Sequence, residues 1–278
     1  MNVLVTNDDG IAAPGLWALA TELKQIADAI VVAPDRQQTG VGTSITLQKP
    51  LEVRRFKPRV KGIEAFAVKG TPADSVIVGT SMLGVDKVDL VVSGINEGPN
   101  MGKDVLVSGT VGAALQAHNR GLPAIAMSLA AIENMNFEVA AKLAAILAQE
   151  ISVSILPGNI LLNVNVPNFS LEQIKGIDIT RLGNSGYSPG FALKKSDYHY
   201  GTAASYHWFA PGVNELKEEQ GTDIWAVGRN RISITPIHSG LTCHEGNEHL
   251  PTMCSRLSQE LSGGNIIVMD HLKTTLDY

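Results

Sequence analysis

Short apolar runs alternate with helix-spaced segments from Met1 to about Gln149, and this alternation limits the chain to few architectures. The runs Met1–Thr6, Ala29–Ala33, Val88–Ser93 and Ala124–Ser128 are near-continuous in apolar residues. Strands buried on both faces have this character. Between them, Leu16, Leu19, Ala20, Leu23 and Ile26 recur at helical spacing,. Thr71 and Pro72 form a helix start, with Thr71 as N-cap and Pro72 first inside,. Ser108 to Ala114 opens a helix running to about His118, and Val139, Leu143, Ile146 and Leu147 mark another. Strand followed by helix, repeated, predicts βαβ units: an α/β fold with a mostly parallel sheet and right-handed crossovers.

The pattern then changes. Leu161–Val166, Ile177–Thr180 and Arg231–Pro236 alternate apolar and polar residues, and Gly183–Trp208 is rich in Gly, Tyr and Ser. A short helical tail is expected around Met253 to Leu261. Leu51–Arg55 and Ile63–Val68 read as two strands of a hairpin or edge insertion. The expected organisation is a core over 1–182. A β-hairpin and C-terminal extension over 183–278 would pack on it.

Ligands of an open α/β sheet bind outside the carboxyl ends of its strands. Three such ends carry polar groups here. Asp8 and Asp9 follow the first run, the loop Asp35–Ser44 with Thr39 follows the second, and a loop Gly94–Asp104 with Asn96 leads into Ser108-Gly109-Thr110. Carboxylate, hydroxyl and amide oxygens are hard donors, suited to one Mg²⁺ or Mn²⁺ ion. A helix that begins Ser-Gly-Thr offers free N–H groups and a positive dipole end to a phosphate. Singly, each has a plain structural reading: Asp-Asp-Gly as a turn, Asn96 as a turn former, Ser108 and Thr110 as caps, Asp35–Arg36 as a local pair. Their arrival at three strand ends of one sheet argues for a site.

Other chemistries fit less well. No G-x-G-x-x-G follows the first strand, Gly40-Val41-Gly42 lacks the third glycine, and neither G-x-x-x-x-G-K-[ST] nor G-x-S-x-G occurs,. The haloacid-dehalogenase pattern needs Asp-x-Asp, whereas these carboxylates adjoin. Twenty-two Lys and Arg against 27 Asp and Glu give a net charge of -5, which argues against a nucleic-acid partner,. The one basic run, Arg54 to Lys61, reads as a solvated hairpin edge. Cys243 and Cys254 form no disulfide framework, and with His238, His244 and His249 their spacing fits no zinc site,. Tyr198-His199-Tyr200 and Tyr206-His207-Trp208 suit either base stacking or an aromatic hairpin at a subunit interface. No run is long enough to span a bilayer and the start does not read as a signal peptide, so a cytoplasmic protein without a membrane partner is expected.

The motifs Asn7-Asp8-Asp9-Gly10, Ala33-Pro34-Asp35-Arg36 with Thr39-Gly40, Ser93-Gly94-Ile95-Asn96 with Gly98, Asn100, Gly102 and Asp104, Ser108 to Ala114, and Gly221-Thr222-Asp223 with Ser233 to Pro236 resemble, in order, those of the SurE survival-protein family. The resemblance implies a metal-dependent phosphatase of nucleoside 5′-monophosphates, extending to 3′-monophosphates and short polyphosphate. It implies a Rossmann-like core with helices on both faces, and an extension over 183–278 that serves oligomerisation, in a homodimer or homotetramer built by exchange of C-terminal segments. Position by position, Asp8, Asp9, Thr39 and Asn96 would hold the metal. Asp8 and Asp9 would be catalytic, and Asn96, Ser108, Gly109 and Thr110 would bind phosphate. Thr39 stands where the family usually has serine, Val107 where it commonly has tyrosine, and Gln116 where it commonly has glutamate. The attacking group is open between water and Asp8. The alternative is a nucleotide-binding sensor without turnover.

Overall fold

A strand made almost wholly of apolar residues is stable only with both faces covered. β1 (Asn2–Thr6) meets that condition: Val3, Leu4 and Val5 are fully buried. Each such side chain stabilises the fold by about 2 kcal/mol. The computed structural model describes residues 1–131, 133–153, 158–184, 192–195, 207–210, 219–242, 249–262 and 267–268. The expected clusters around Tyr198–Tyr200, Tyr206 and Cys243–His244 lie outside the described residues, and of His207 and Trp208 only the strand is described.

In chain order the elements are β1, α1 (Pro14–Lys24), β2 (Asp28–Pro34), β3 (Val53–Arg55), β4 (Glu64–Val68), α2 (Pro72–Leu83), β5 (Leu90–Glu97), α3 (Gly109–His118), β6 (Ala124–Ala130), α4 (Glu138–Val153), β7 (Leu161–Pro167) and β8 (Ile177–Ile179). There follow β9 (Ala192–Lys195), β10 (His207–Ala210), α5 (Asp223–Val227), β11 (Ile232–Pro236) and α6 (Leu250–Ser262). β9 and β10 pair antiparallel as a separate two-stranded sheet. The rest form one nine-stranded sheet in the order β3-β4-β2-β1-β5-β6-β7-β11-β8. The run β4-β2-β1-β5-β6-β7 is parallel throughout. β3 and β11 run antiparallel to β4 and β7.

Two apolar cores sandwich the sheet. Leu16, Trp17, Leu19 and Leu23 of α1 and Ala140, Ala141 and Ala144 of α4 fill one side. Val76 of α2 and Val111, Ala113 and Ala117 of α3 fill the other. Thr71 and Pro72 start α2 as expected, and Asp74 completes a capping box,.

Three findings revise the sequence reading, and a fourth extends it. β4 is a member of the parallel sheet beside β2, with β3 alone as the antiparallel edge. β5 runs on to Glu97, through a register shift between Ser93 and Asn96, so Asn96 sits at a strand end rather than within a loop. Asp35 meets Arg54 at 3.6 Å instead of Arg36. β7 alternates apolar and polar residues as expected, and every residue of that strand is buried, Asn163 and Asn165 completely. Compact units cover Met1–His238 and Ser239–Tyr278, so β8 and β11 belong with the core sheet. The basic edge is solvated as expected: Arg55 is exposed, meets Glu64 at 3.5 Å and lies over the Phe66 ring. Among the described residues no helix is long and apolar enough to cross a membrane.

Candidate active site

The strand order reverses at β1. From there the chain steps to β2 and β4 on one side, while β5, β6 and β7 lie on the other. Connections leaving β1 and β5 therefore diverge, and a crevice opens at their carboxyl ends. Asp8 and Asp9 leave β1 there, and Asn96 ends β5.

The turn after β1 is held by local hydrogen bonding. Asn7 Nδ2 donates to the Gly10 carbonyl at 3.1 Å, and Trp17 Nε1 donates to that of Ile11 at 2.7 Å. Gly10 has φ +96, and a Cβ there would lie 2.9 Å from the Arg36 carbonyl carbon, so only glycine fits,. This packing presses the Arg36 loop onto the turn. The Gln38 N–H donates to the Asp8 carbonyl at 2.7 Å, and farther along Gly42 donates to Val107 at 2.9 Å. Thr39 lies between these two anchors with an exposed side chain.

Asp8 is 4% exposed. Its Oδ1 accepts the Thr110 hydroxyl at 2.5 Å, and the Gly109 and Thr110 amides also bond to it. A Cβ on Gly109 would come within 2.7 Å of the Asp8 Cβ, so that glycine lets α3 approach the carboxylate. Ser108 caps α3 by accepting from Val111 N at 3.1 Å. Asp9 turns toward β5, where its Oδ2 accepts from Glu97 N at 3.2 Å. Asn96 Nδ2 donates to the Gly98 carbonyl at 2.7 Å, which leaves Oδ1 as its acceptor end. Direct bonds thus join Asp8 to Thr110 and Gly109 and tie Asp9 to the Asn96 strand end. They carry the loop of Thr39 to the same edge, without a bond from its hydroxyl.

Burial pushes the Asp8 carboxyl above its ordinary value, against the lowering effect of the Thr110 hydroxyl and backbone amides. Asp9 is pushed up to about 7, chiefly by burial and then by repulsion from Asp8,. Neither carboxyl is lowered by a basic neighbour. Thr6 Oγ1, Asn7 Oδ1 and Ser93 Oγ are buried without a hydrogen-bond partner at the strand ends that deliver these groups. A crowded acidic pair could hold a hard cation such as Mg²⁺ or Mn²⁺ through Asp8 and Asp9, and the Asn96 and Thr39 oxygens are hard donors carried to the same sheet edge,. Among the described residues no three His, Cys, Asp or Glu form a metal cluster, which leaves the neutral oxygens as the further donors.

Two features escaped the sequence reading. A cleft of about 650 Å³ lined by Arg36, Gln38, Thr46, Lys49, Leu51 and Thr71 adjoins the Asp8 turn through Gln38. A buried polar bed of Ser128, Asn163, Asn165 and Asp223 lies under the segment that follows Asn96. The Asn163/Asn165 alternation was its one visible trace in the sequence.

A family model described as "Survival protein SurE" matches residues 3–189. The chain belongs to the SurE family. Its relatives in that family include the 5′-nucleotidase SurE of Dehalococcoides mccartyi (strain CBDB1), 42% identical over 243 residues that cover 87% of this chain and 90% of the relative. The 5′-nucleotidase SurE of Vibrio parahaemolyticus serotype O3:K6 is 41% identical over 261 residues, 94% of this chain and 96% of the relative. The crystal structure of the SurE protein from Aquifex aeolicus superposes with a TM-score of 0.75 at 37% identity, covering 91% of this chain and 99% of that one. SurE membership agrees with the open, mostly parallel α/β sheet described above.

Proposed function

We propose that the chain is a divalent-metal-dependent 5′-nucleotidase that hydrolyses nucleoside 5′-monophosphates. The carrying observation is the buried Asp8–Asp9 pair set against the start of α3 with no basic neighbour. The nucleotidase names of relatives at about 40% identity support the reaction class. Bound Mg²⁺ or Mn²⁺ would supply Lewis-acid polarisation of a phosphoryl oxygen. The chain's own groups do the rest. Thr110 and the amides at the start of α3 orient Asp8, and the positive end of α3 would favour a phosphate bound beside it,. The cleft beside Gln38 is of the size that takes a nucleoside,.

Water is the attacking group that suits this geometry. Asp8 Oδ1 is held by the Thr110 hydroxyl, and the remaining oxygen is the one left to hold the ion, so the carboxylate has no oxygen free to attack phosphorus. Acid-quenched mass spectrometry during turnover is expected to find no phosphorylated Asp8. A panel of nucleoside monophosphates assayed with Mn²⁺, Mg²⁺ or chelator tests the whole reading. Phosphate release that requires the ion is expected, and release undiminished by chelator would contradict it.

The C-terminal unit supports the expected homo-oligomer. Leu250, Met253, Leu257 and Leu261 of α6 recur at helical spacing and are 40%, 48%, 46% and 77% exposed,. Light scattering is expected to show a dimer or tetramer that Leu257→Asp weakens.

A further inference from the structure

We infer that Asp223 and the buried cluster Asn100, Ser128, Asn163 and Asn165 are positioning residues, which hold segment 98–104 in one shape and so set Asn96 and the Ser108–Thr110 helix start against Asp8 and Asp9. The inference rests on the phosphatase reading. Segment 98–107 joins two parts of the site, since Asn96 precedes it and Ser108 ends it. It has no strand or α-helix of its own, only a 3₁₀ turn at Gly102–Leu106. Left to itself such a segment would sample many shapes.

Five buried hydrogen bonds remove that freedom. The Asn100 N–H donates to Asn165 Oδ1 at 2.8 Å, and Asn100 Nδ2 to Ser128 Oγ at 2.9 Å. Its carbonyl accepts from both Asn163 Nδ2 at 2.9 Å and Asn165 Nδ2 at 3.0 Å. Two residues on, the Gly102 N–H donates to Asp223 Oδ2 at 2.8 Å, across 121 positions of sequence. Asp223, Ser128, Asn163 and Asn165 are fully buried. Stability alone does not call for them, because apolar side chains in a buried sheet avoid the desolvation cost of amides and a carboxylate. What they add is one defined position for the chain that passes over them.

Asp223 allows a selective test. Its Oδ1 accepts from Gly183 N at 2.8 Å and Ile224 N at 2.9 Å, while Oδ2 serves Gly102 alone among the described residues. Asparagine can keep its one oxygen on the two-donor side, which turns an NH₂ toward the Gly102 N–H and releases only the loop. Asp223→Asn is therefore expected to lower kcat at least about tenfold with KM changed less than about threefold. Hydrogen exchange of amides 99–107, measured without substrate, should speed up at least about tenfold. Ser128→Ala, a milder break on the other side of the loop, should lower kcat about threefold, and it carries the test if Asp223→Asn does not fold. Asp178→Asn is the control: it loosens the Arg231 fork between β8 and β11, lowering Tm while leaving kcat intact. Faster exchange with kcat unchanged in Asp223→Asn would overturn the inference. So would a loss of kcat without faster exchange, or an equal loss in the control. A parent chain with no phosphatase activity would sink the functional reading alone, and exchange at 99–107 would still decide whether Asp223 clamps the loop.

Discussion

The two flanks of the crevice are built by opposite means. On the β1 flank, Asp8 and Asp9 are charged groups forced together by a tight local turn, crowded by the glycine of α3 and lifted above ordinary carboxyl values. On the β6–β7 flank, neutral amides and a fully bonded Asp223 cradle a backbone segment from below. The first flank stores unfavourable electrostatics that a bound divalent ion would relieve. The second carries no charge on its amides, whose NH₂ groups reach the Asn100 carbonyl and the Ser128 hydroxyl, although Asn163 Oδ1 is buried without a partner. The contrast separates doing from holding: chemistry concentrates where charge is uncompensated, and precision where the loop backbone is bonded on several sides.

The largest expected effect strikes the first flank. Asp8→Asn should cut kcat/KM by about 10³-fold or more, while Tm of the metal-free protein rises, because a poorly solvated charge disappears and Oδ1 can still accept from Thr110. Activity within tenfold of the parent would break the division of roles. Gly109→Ala is expected to cost about 10²-fold in kcat by pushing α3 off Asp8, and steady-state kinetics with the Tm in parallel would check it. Next comes pH. Asp9 sits at about 7 instead of an ordinary 3.8, so the native state keeps a proton that the unfolded chain has released. Stability of the metal-free protein should therefore fall as pH rises from about 4 to about 7, the unfolded state binding fewer protons there. Asp8 adds in the same direction. Added Mn²⁺ should stabilise more at the upper end, and calorimetry in chelator showing a rising Tm over that interval would contradict the uncompensated pair. The smallest effect belongs to neither flank: Arg55→Ala, breaking an exposed pair with Glu64, should change stability by less than about 1 kcal/mol and leave kcat untouched,.

What was legible in sequence follows the same division. Asp8, Asp9, Ser108, Gly109 and Thr110 sit in contiguous motifs at strand and helix ends, so their meeting followed from topology alone. The parallel order around β1 was likewise readable, since near-continuous apolar runs leave no face for water. Asn100, Asn165 and Asp223 were not readable as partners, because their bonds span 65 and 121 positions and depend on β11 entering the sheet beside β7. The alternation of β7 did not reveal these partners for a physical reason: buried amides bonded to a passing loop leave the same polar spacing in sequence as a solvated face. Asp35 went to Arg54 because the short antiparallel edge β3 brings that arginine across, a pairing invisible to sequence neighbours.

A Cβ on Gly112 would stand 2.2 Å from the Gly42 carbonyl oxygen, so the Thr39 loop and α3 meet backbone to backbone. A seam without side chains has no dial. Substitution within it can only open the joint, never retune it, and the dihedral angle of Gly42, φ +56, narrows the choice further. Any change in which alcohol the site accepts must therefore come from outside the seam, through the segment from Ile45 to Glu52, where exposed Ile45 and Leu47 and the cleft residue Lys49 can vary without disturbing how the loop is seated. For an engineer, that divides the rim of the crevice into a frame to leave alone and a margin open to selection.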